Sequence, residues 1–272
     1  MTLCVAIVTP RIAVHVSDRR VTWKLSNKIE KADDDRNKAI IWNSGDFRIV
    51  ISYCGLAELD GKPTDIKIAE VLASLANPRT LGELLYEFPK FLSHAYVETK
   101  KVYRGDAPLE VTWSGFSVGL AFQAVFSNLL DESGKPVSPN ERFFHSYKIP
   151  PDFPMERKGK DRCYRIAASG DGATLFVPHF MRTLVYCGKR GGFKPSKADS
   201  LVRKLVSMIR QVATHPNSAS SVGGNCMSCI ISPHSEVEPS CRYHPIGEDS
   251  VIYTPIFLSG PTHVSFQLTK RD

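Results

Sequence analysis

The chain opens with Met1-Thr2-Leu3-Cys4-Val5-Ala6-Ile7-Val8, a stretch that is apolar on both alternating faces after the threonine. Successive side chains of a strand point to opposite faces, so a strand that is apolar on both faces is covered on both. A second apolar run begins at Ile12 and ends at Ser17-Asp18. Together the two runs predict a hairpin of buried strands over residues 3–9 and 12–18.

The rest of the chain alternates between strand-rich and helix-rich stretches. A second hairpin is predicted from strands at 39–42 and 47–53. Further strands are predicted within 111–130 and at 164–168, 226–232, 250–258 and 263–268, and helices at 68–75, 81–95, 173–186 and 197–213. Pro89 predicts a kink or a break in the second helix. Ser196 and Asp199 predict a capping box at the start of the last one.

This order of elements predicts a single α+β domain over residues 1–272. Strands covered on both faces require two facing sheets with helices outside them, which is a four-layer αββα sandwich of two antiparallel sheets. Residues 24–37 are highly charged, and residues 131–160 are rich in proline, glycine and charge. Both stretches are predicted to be exposed, the second as an insertion in the domain.

The composition is typical of a globular protein, with 272 residues, 42% of them hydrophobic, and a net charge of +7. No apolar run approaches the ~20 residues that a membrane-spanning helix needs, and the first residues do not have the pattern of a signal peptide. Seven scattered cysteines are an odd number, which favours a reducing compartment over a disulfide scaffold. We therefore expect a cytoplasmic protein.

Thr2 is the first candidate for catalysis. Removal of Met1 would leave a threonine whose α-amine, with an ordinary pKa of roughly 7.7–8.0, lies beside its own hydroxyl. A threonine activated by its own N-terminal amine is a known nucleophile–base arrangement. The alternative interpretation is an ordinary chain end, since many cytosolic proteins begin with methionine and a small residue.

Three further residues lie where the predicted strands would bring them near Thr2. Asp18 ends the strand that returns beside the first one, Lys38 precedes a buried strand, and Gly55 ends the strand after that. Each has an alternative: Asp18 could form a surface ion pair, Lys38 could be a solvated strand end, and Gly55 could serve a tight turn. Lys28 and Lys31 are alternative candidates for the lysine.

The combination resembles the proteasome β-subunit-like family of N-terminal nucleophile (Ntn) hydrolases. The segment 17–20, Ser-Asp-Arg-Arg, is similar to the family's Ala-Asp-Ser-Arg motif, and 55–57, Gly-Leu-Ala, to its Gly-Gly-Ala motif. The segment 169–171, Ser-Gly-Asp, is similar to a Ser-Gly-Ser turn. The family's Asp-x-x-Ser-Gly-Gly loop corresponds to residues 217–224, which contain no aspartate.

The resemblance implies a threonine-type peptidase or amidase that cleaves peptide or other amide bonds through an acyl-enzyme. The resemblance assigns Thr2 as nucleophile, Asp18 and Lys38 as its charged partners, the Gly55 amide as oxyanion donor, and Ser169 and Asp171 as groups that orient the amine. It implies no metal and no cofactor. It also implies that the chain forms a homo-oligomer.

Other functions stay open from the sequence alone. Cys226 and Cys229, with Cys241 and His244, imitate a zinc pattern, but an offset of three along a strand places the first two on opposite faces. Basic runs such as 157–160 keep a nucleic-acid-binding protein open, although +7 does not demand an anionic partner. A noncatalytic ring or scaffold subunit is a further alternative.

Overall fold

The protein is described by a computed structural model that covers residues 2–25, 28–34, 36–44, 47–75, 81–102, 107–133, 135–148, 164–191, 193–218, 221–234, 236–259 and 263–265. Within these residues the fold is α+β, with two large and largely antiparallel sheets and four α-helices. The predicted α+β sandwich is confirmed at this level.

The first sheet is antiparallel throughout its described strands and contains the start of the chain. In spatial order its strands are β12 (Arg165–Ser169), β1 (Cys4–Val8), β2 (Ala13–Asp18), β13 (Cys226–Ile231), β14 (Ser240–His244) and β15 (Val251–Ile252). The predicted opening hairpin is the pair β1–β2, which places Cys4 opposite Ser17.

The second sheet contains the predicted second hairpin and the strands that follow it. In spatial order its strands are β11 (Phe144–Lys148), β10 (Leu120–Ser127), β9 (Leu109–Ser117), β6 (Phe47–Gly55), β5 (Ala39–Ser44), β16 (Ile256–Ser259) and β17 (His263–Ser265). Only the β5–β16 pair of these described strands is parallel.

Four helices and two small ribbons complete the described structure. The helices are α1 (Thr64–Ser74), α2 (Leu81–Val102), α3 (Ala173–Lys189) and α4 (Ala198–Ala213). The ribbons pair β3 (Val21–Leu25) with β4 (Lys28–Asp33), and β7 (Glu58–Leu59) with β8 (Lys62–Pro63). Among the described helices, none has the length and apolarity that crossing a bilayer requires.

Three apolar layers, one under each pair of helices and one between the two sheets, hold the sandwich together. Helices α1 and α2 cover the second sheet, where Phe88 packs on Trp113 with 4.7 Å between ring centroids. Helices α3 and α4 cover the first sheet, where Leu205 belongs to the same buried cluster as Val5. The third layer, which includes Ile41, lies between the two sheets. The order of layers is therefore helix, sheet, sheet, helix.

Several local features add to or differ from the predictions. The charged stretch 24–37 contains most of the β3–β4 ribbon, which the sequence did not predict. Helix α2 continues through Pro89, so of the two predicted outcomes, a kink or a break, the break does not occur. The capping box does not form, because residue 196 lies in a 3-10 turn over Pro195–Lys197 and α4 begins at Ala198 without a side-chain cap.

The predicted insertion at 131–160 contains a strand of the second sheet. Strand β11 pairs with β10 along its whole length, with Gln123 opposite Lys148. Most of the described residues before it, 131–142, are exposed. Residues 149–160 lie outside the part of the chain that the structure describes.

Candidate active site

The opening hairpin places Asp18 beside the start of the chain. The Leu3 amide donates to Asp18 Oδ1 at 2.8 Å, and the Asp18 amide donates to the Leu3 carbonyl at 3.1 Å. This reciprocal pair follows directly from the antiparallel register of β1 and β2. The carboxylate thereby holds the residue that follows Thr2.

The second oxygen of Asp18 binds two more backbone amides. Oδ2 accepts from the Arg20 amide at 3.1 Å and from the Gly223 amide at 2.9 Å. Asp18 is completely buried, and a buried carboxylate is costly unless donors satisfy it. Amides from its own turn, from the start of β1 and from the distant residue Gly223 thus converge on the Asp18 side chain.

Lys38 brings a positive charge to the Thr2 hydroxyl. It directly precedes β5, is 1% exposed, and its Nζ lies 2.6 Å from Thr2 Oγ1 and 3.4 Å from Asp18 Oδ1. Its ammonium also donates to the Arg20 carbonyl. A cation at this distance favours the deprotonated form of a neighbouring hydroxyl. Of the three candidate lysines, Lys28 and Lys31 lie in β4, and their side chains are outside the described part of the chain.

The turn after β12 closes around the Thr2 carbonyl. Gly170 has φ +90°, and a Cβ added to it would lie 2.1 Å from the Thr2 carbonyl oxygen. The Gly172 amide donates to the same oxygen at 3.3 Å. Only glycine allows this approach, because any side chain at position 170 would overlap the backbone of Thr2.

Ser169 and Asp171 flank that glycine but face different surroundings. Ser169 is buried opposite Cys4, and its Oγ lies 3.1 Å from Thr112 Oγ1. Asp171 is exposed, and its carbonyl accepts from the Thr174 amide and hydroxyl at the start of α3. Of these two residues, only Ser169 is buried.

Gly55 lies at the end of β6, where it pairs with Leu109. It has φ +110°, and a Cβ there would lie 1.9 Å from the Pro108 carbonyl oxygen. Close packing against Pro108 is therefore a sufficient reason for glycine at this position. Its amide as an oxyanion donor remains a prediction.

Glu110 is a carboxyl group of the site that sequence reasoning missed. It pairs with Cys54 across β9 and β6, and its Oε1 lies 4.0 Å from Cys54 Sγ. Burial raises the pKa of Glu110, and a hydrogen bond from the Ser169 side chain opposes that rise. Its only signal in the sequence is its place directly before the strands predicted within 111–130, and the pairing of β9 with β6 is not readable from an isolated strand.

The two cysteines near Thr2 are chemically quiet. Burial raises the pKa of Cys4 to about 12 and the pKa of Cys54 well above its usual value. The thiolate is the reactive form of cysteine, so neither competes as a nucleophile near neutral pH.

In the loop that lacks the family's aspartate, the hydroxyls of Ser218 and Ser221 bond to nearby backbone carbonyls. Ser218 Oγ donates to the Ala213 carbonyl at 3.2 Å, and Ser221 Oγ donates to the Ser218 carbonyl. The loop contributes instead through its backbone, by the Gly223 amide at Asp18. Sequence reasoning matched this loop but did not identify Gly223.

The zinc-like pattern is not assembled. Cys226 faces α3 and α4, whereas Cys229 faces the other sheet, where its Sγ lies 3.3 Å from that of Cys241. The described residues contain no group of three or more potential metal ligands. The basic run 157–160 lies outside the described residues.

Comparison with known proteins relates this fold to solved structures but to no sequence family. No protein-family model matches the chain, and no curated protein matches it either. Anbu (ancestral beta-subunit) from Yersinia bercovieri matches with a TM-score of 0.50 at 12% identity, over 85% of this chain and 82% of that one. The helical assembly of the Anbu complex from Pseudomonas aeruginosa matches with a TM-score of 0.53 at 13% identity, over 90% and 88%.

These structures correct one expectation. Anbu is related to the proteasome β-subunit but is a distinct family, so the assignment to the proteasome β-subunit-like Ntn hydrolases is wrong. The shared property is the fold, since the identities are 12% and 13%. The segments 17–20, 55–57 and 169–171 that carried the resemblance are short, and such motifs do not separate one related family from another.

Proposed function

We propose that this chain is a threonine-type amide hydrolase with an Ntn-hydrolase fold, in which Thr2 is the nucleophile once the residue before it is removed. The contact that carries the proposal is the 2.6 Å between Lys38 Nζ and Thr2 Oγ1, in a site where Asp18 holds both the lysine and the start of β1. An ordinary chain end has no need of a buried ammonium against its hydroxyl, because burying a charge is costly even when a carboxylate is paired with it.

The reaction begins with attack of Thr2 Oγ1 on an amide carbonyl. The hydroxyl proton passes to the free α-amine of Thr2, and the C–N bond of the substrate breaks as that proton is delivered to the leaving amine. An acyl ester on Thr2 remains, and water cleaves it with the α-amine again as base. The Lys38 ammonium lowers the cost of developing charge on Oγ1.

The Gly55 amide is the proposed donor to the oxyanion, and one such donor contributes about 2.7–4 kcal/mol of transition-state stabilisation. Ser169 is the proposed partner of the α-amine. Asp171, which is exposed at the turn, is the less favoured partner. The substrate is a peptide or another amide, and the fold itself does not fix its side-chain preference.

Self-association and a cytoplasmic location are further parts of the proposal. The matched Anbu complex from Pseudomonas aeruginosa forms a helical assembly, which supports a homo-oligomer of this chain. Six cysteines among the described residues are free thiols, and free thiols persist in a reducing compartment.

The test is intact-mass analysis after treatment with a β-lactone, which acylates a nucleophilic hydroxyl. We expect one adduct on the N-terminal peptide of the processed protein, none in Thr2→Ala, and an adduct in Thr2→Ser because the hydroxyl is kept. Thr2→Ala should fold normally and lose amide cleavage. Processed protein that begins at Thr2 and gains no adduct contradicts the proposal.

A further inference from the structure

The Ser169 hydroxyl can face the Thr2 amine in a useful way only if its hydrogen points elsewhere. A hydroxyl has one hydrogen and two lone pairs. Ser169 Oγ lies 3.1 Å from Thr112 Oγ1. Glu110 is two residues before Thr112 on β9 and so lies on the same face of that strand, where a hydrogen bond from the Ser169 side chain holds down the pKa of Glu110. An ionised carboxylate only accepts, so its bond with Glu110 uses the Ser169 hydrogen.

The remaining lone pairs of Ser169 are then determined. One accepts the Thr112 hydroxyl, and one is free to accept a hydrogen from the α-amine of Thr2. The turn that follows Ser169 already touches Thr2, through the Gly172 amide at its carbonyl and the close approach of Gly170. The two glycines that follow Ser169 are therefore held against the backbone of Thr2, the residue whose amine the hydroxyl would bind.

The other carboxylates near Thr2 are not available for this task. Both carboxylate oxygens of Asp18 already accept hydrogen bonds, from Lys38 and from the amides of Leu3, Arg20 and Gly223. Asp171 is exposed. Glu110 is the carboxyl group that remains. It contacts Cys54, and Cys54 in turn lies close to Gly170, since a Cβ added to Gly170 would be 3.2 Å from the Cys54 Cβ.

We propose that Glu110 is a positioning residue that orients the Ser169 hydroxyl so that it accepts a hydrogen bond from the α-amine of Thr2. This inference rests on the proposed function, since the α-amine has a role only if Thr2 is the nucleophile.

The pH dependence of acylation separates this role from a structural one. The titratable groups nearest Glu110 are the thiols of Cys54 and Cys4, whose pKa values its charge raises. The charges of Asp171, Lys38 and Asp18 act on the same two thiols. The negative charge of Glu110 stabilises the protonated amine and raises its pKa. Without that charge the amine loses its proton at lower pH, so the acid limb of the rate profile moves to lower pH.

The experiment measures the rate of Thr2 acylation by a β-lactone from pH 5 to 9 in wild type, Glu110→Gln, Ser169→Ala and the double variant. We expect Glu110→Gln to be slower by up to ~100-fold at its plateau, as for a misplaced reacting group, with its acid limb at lower pH. Because Glu110 acts through Ser169, the double variant should be no slower than Ser169→Ala. Glu141→Gln, which changes an exposed glutamate, is the control and should match wild type.

Folding is checked by the thermal midpoint of each variant. Removal of a carboxylate that is disfavoured by burial should leave the midpoint of Glu110→Gln unchanged or higher at pH 8, whereas a structural role predicts a fall. A slower variant with a lower midpoint and an unmoved acid limb overturns the inference. So does a Glu110→Gln variant with the rate and profile of wild type, and Thr2 chemistry then stands. No acylation of Thr2 in wild type overturns both proposals.

Discussion

At the scale of single residues, the site depends on backbone as much as on side chains. Asp18 binds three amides, Lys38 donates to the Arg20 carbonyl, and the Gly170 turn encloses the Thr2 carbonyl. Backbone groups cannot be changed by mutation, but glycines that permit their approach can. Position 170 is therefore the sharpest test of how Thr2 is held.

We predict that Gly170→Ala displaces Thr2 and slows its acylation by ~100-fold. The matched control is Gly119→Ala, because Gly119 also has positive φ, +75°, but has no atom within 4 Å of an added Cβ. The control should lose only the roughly 1–2 kcal/mol of left-handed strain and keep its acylation rate. Urea denaturation and β-lactone labelling of both variants measure the difference, and equal rates would contradict the prediction.

Spacing in the sequence was enough to predict that Asp18 approaches Thr2, because a hairpin returns its second strand to the start of the first. Lys38 needed more, since it directly precedes a strand of the other sheet and its contact depends on how the two sheets face each other. Glu110 could not be predicted, because a single glutamate at a strand start carries no sign of the strands that will flank it.

At the scale of elements, helix α4 anchors the loop that completes the site. Arg210 on α4 donates through Nε to the Gly224 carbonyl at 3.1 Å, and through one terminal nitrogen to the carbonyls of His244 and Pro245. Gly224 follows directly on Gly223, whose amide binds Asp18. The guanidinium thus links the helix to the carboxylate of the site.

We predict that Arg210→Lys lowers the free energy of unfolding by about 1.5–3 kcal/mol, the usual contribution of hydrogen bonds to a charged group. Lysine keeps the charge but lacks the planar fork that reaches separate carbonyls. Acylation of Thr2 should also slow, because the Gly223 amide loses its support. Arg203→Lys, an exposed position on the same helix, is the control. Equal stability of the two variants would show that the fork is not needed.

Elements with a strong apolar pattern were predicted well, and those with charged strands were not. Strand β1 of the opening hairpin is apolar on both faces, and α4 is apolar along one face. These patterns distinguish the two-residue repeat of a strand from the 3.6-residue repeat of a helix. The β3–β4 ribbon is rich in charge, so its sequence matches a loop as well as a strand. The capping box failed because a 3-10 turn already occupied the residues before α4.

At the scale of the whole molecule, polar side chains are buried between the two sheets. His15 on β2 is 2% exposed, and its Nε2 is without a hydrogen-bond partner among the described residues. Burial lowers the pKa of His15 to about 4. A histidine that stays neutral in the fold makes stability depend on pH, since the unfolded chain takes up the proton first.

We predict that stability falls as the pH drops from about 6.5, the pKa in the unfolded chain, toward 4 in the fold. The loss attributable to His15 approaches about 3 kcal/mol at the acid end, from 1.36 kcal/mol per pKa unit. His15→Leu should flatten this dependence in urea denaturation between pH 7 and 4.5. His94→Leu, at an exposed position, should leave it unchanged. A slope that His15→Leu does not alter would contradict the assignment.

The layer order could be predicted from the sequence because strands covered on both faces have few other solutions. The parallel pairing of β16 with β5 could not, since it joins the last strands to an early one across most of the chain. Family assignment failed at this scale as well, because element order is shared by related families and Anbu is one of them.

The hydrogen bonds around Asp18 also determine when the site can be completed during translation. Gly223 follows Asp18 by 205 positions, so its amide leaves the ribosome roughly 10–40 s later at ordinary rates of translation. During that interval the carboxylate lacks its last donor. The carboxylate of Asp18 is thus synthesised early and receives its last backbone donor late, when the 205 positions between them are already available to fold around it.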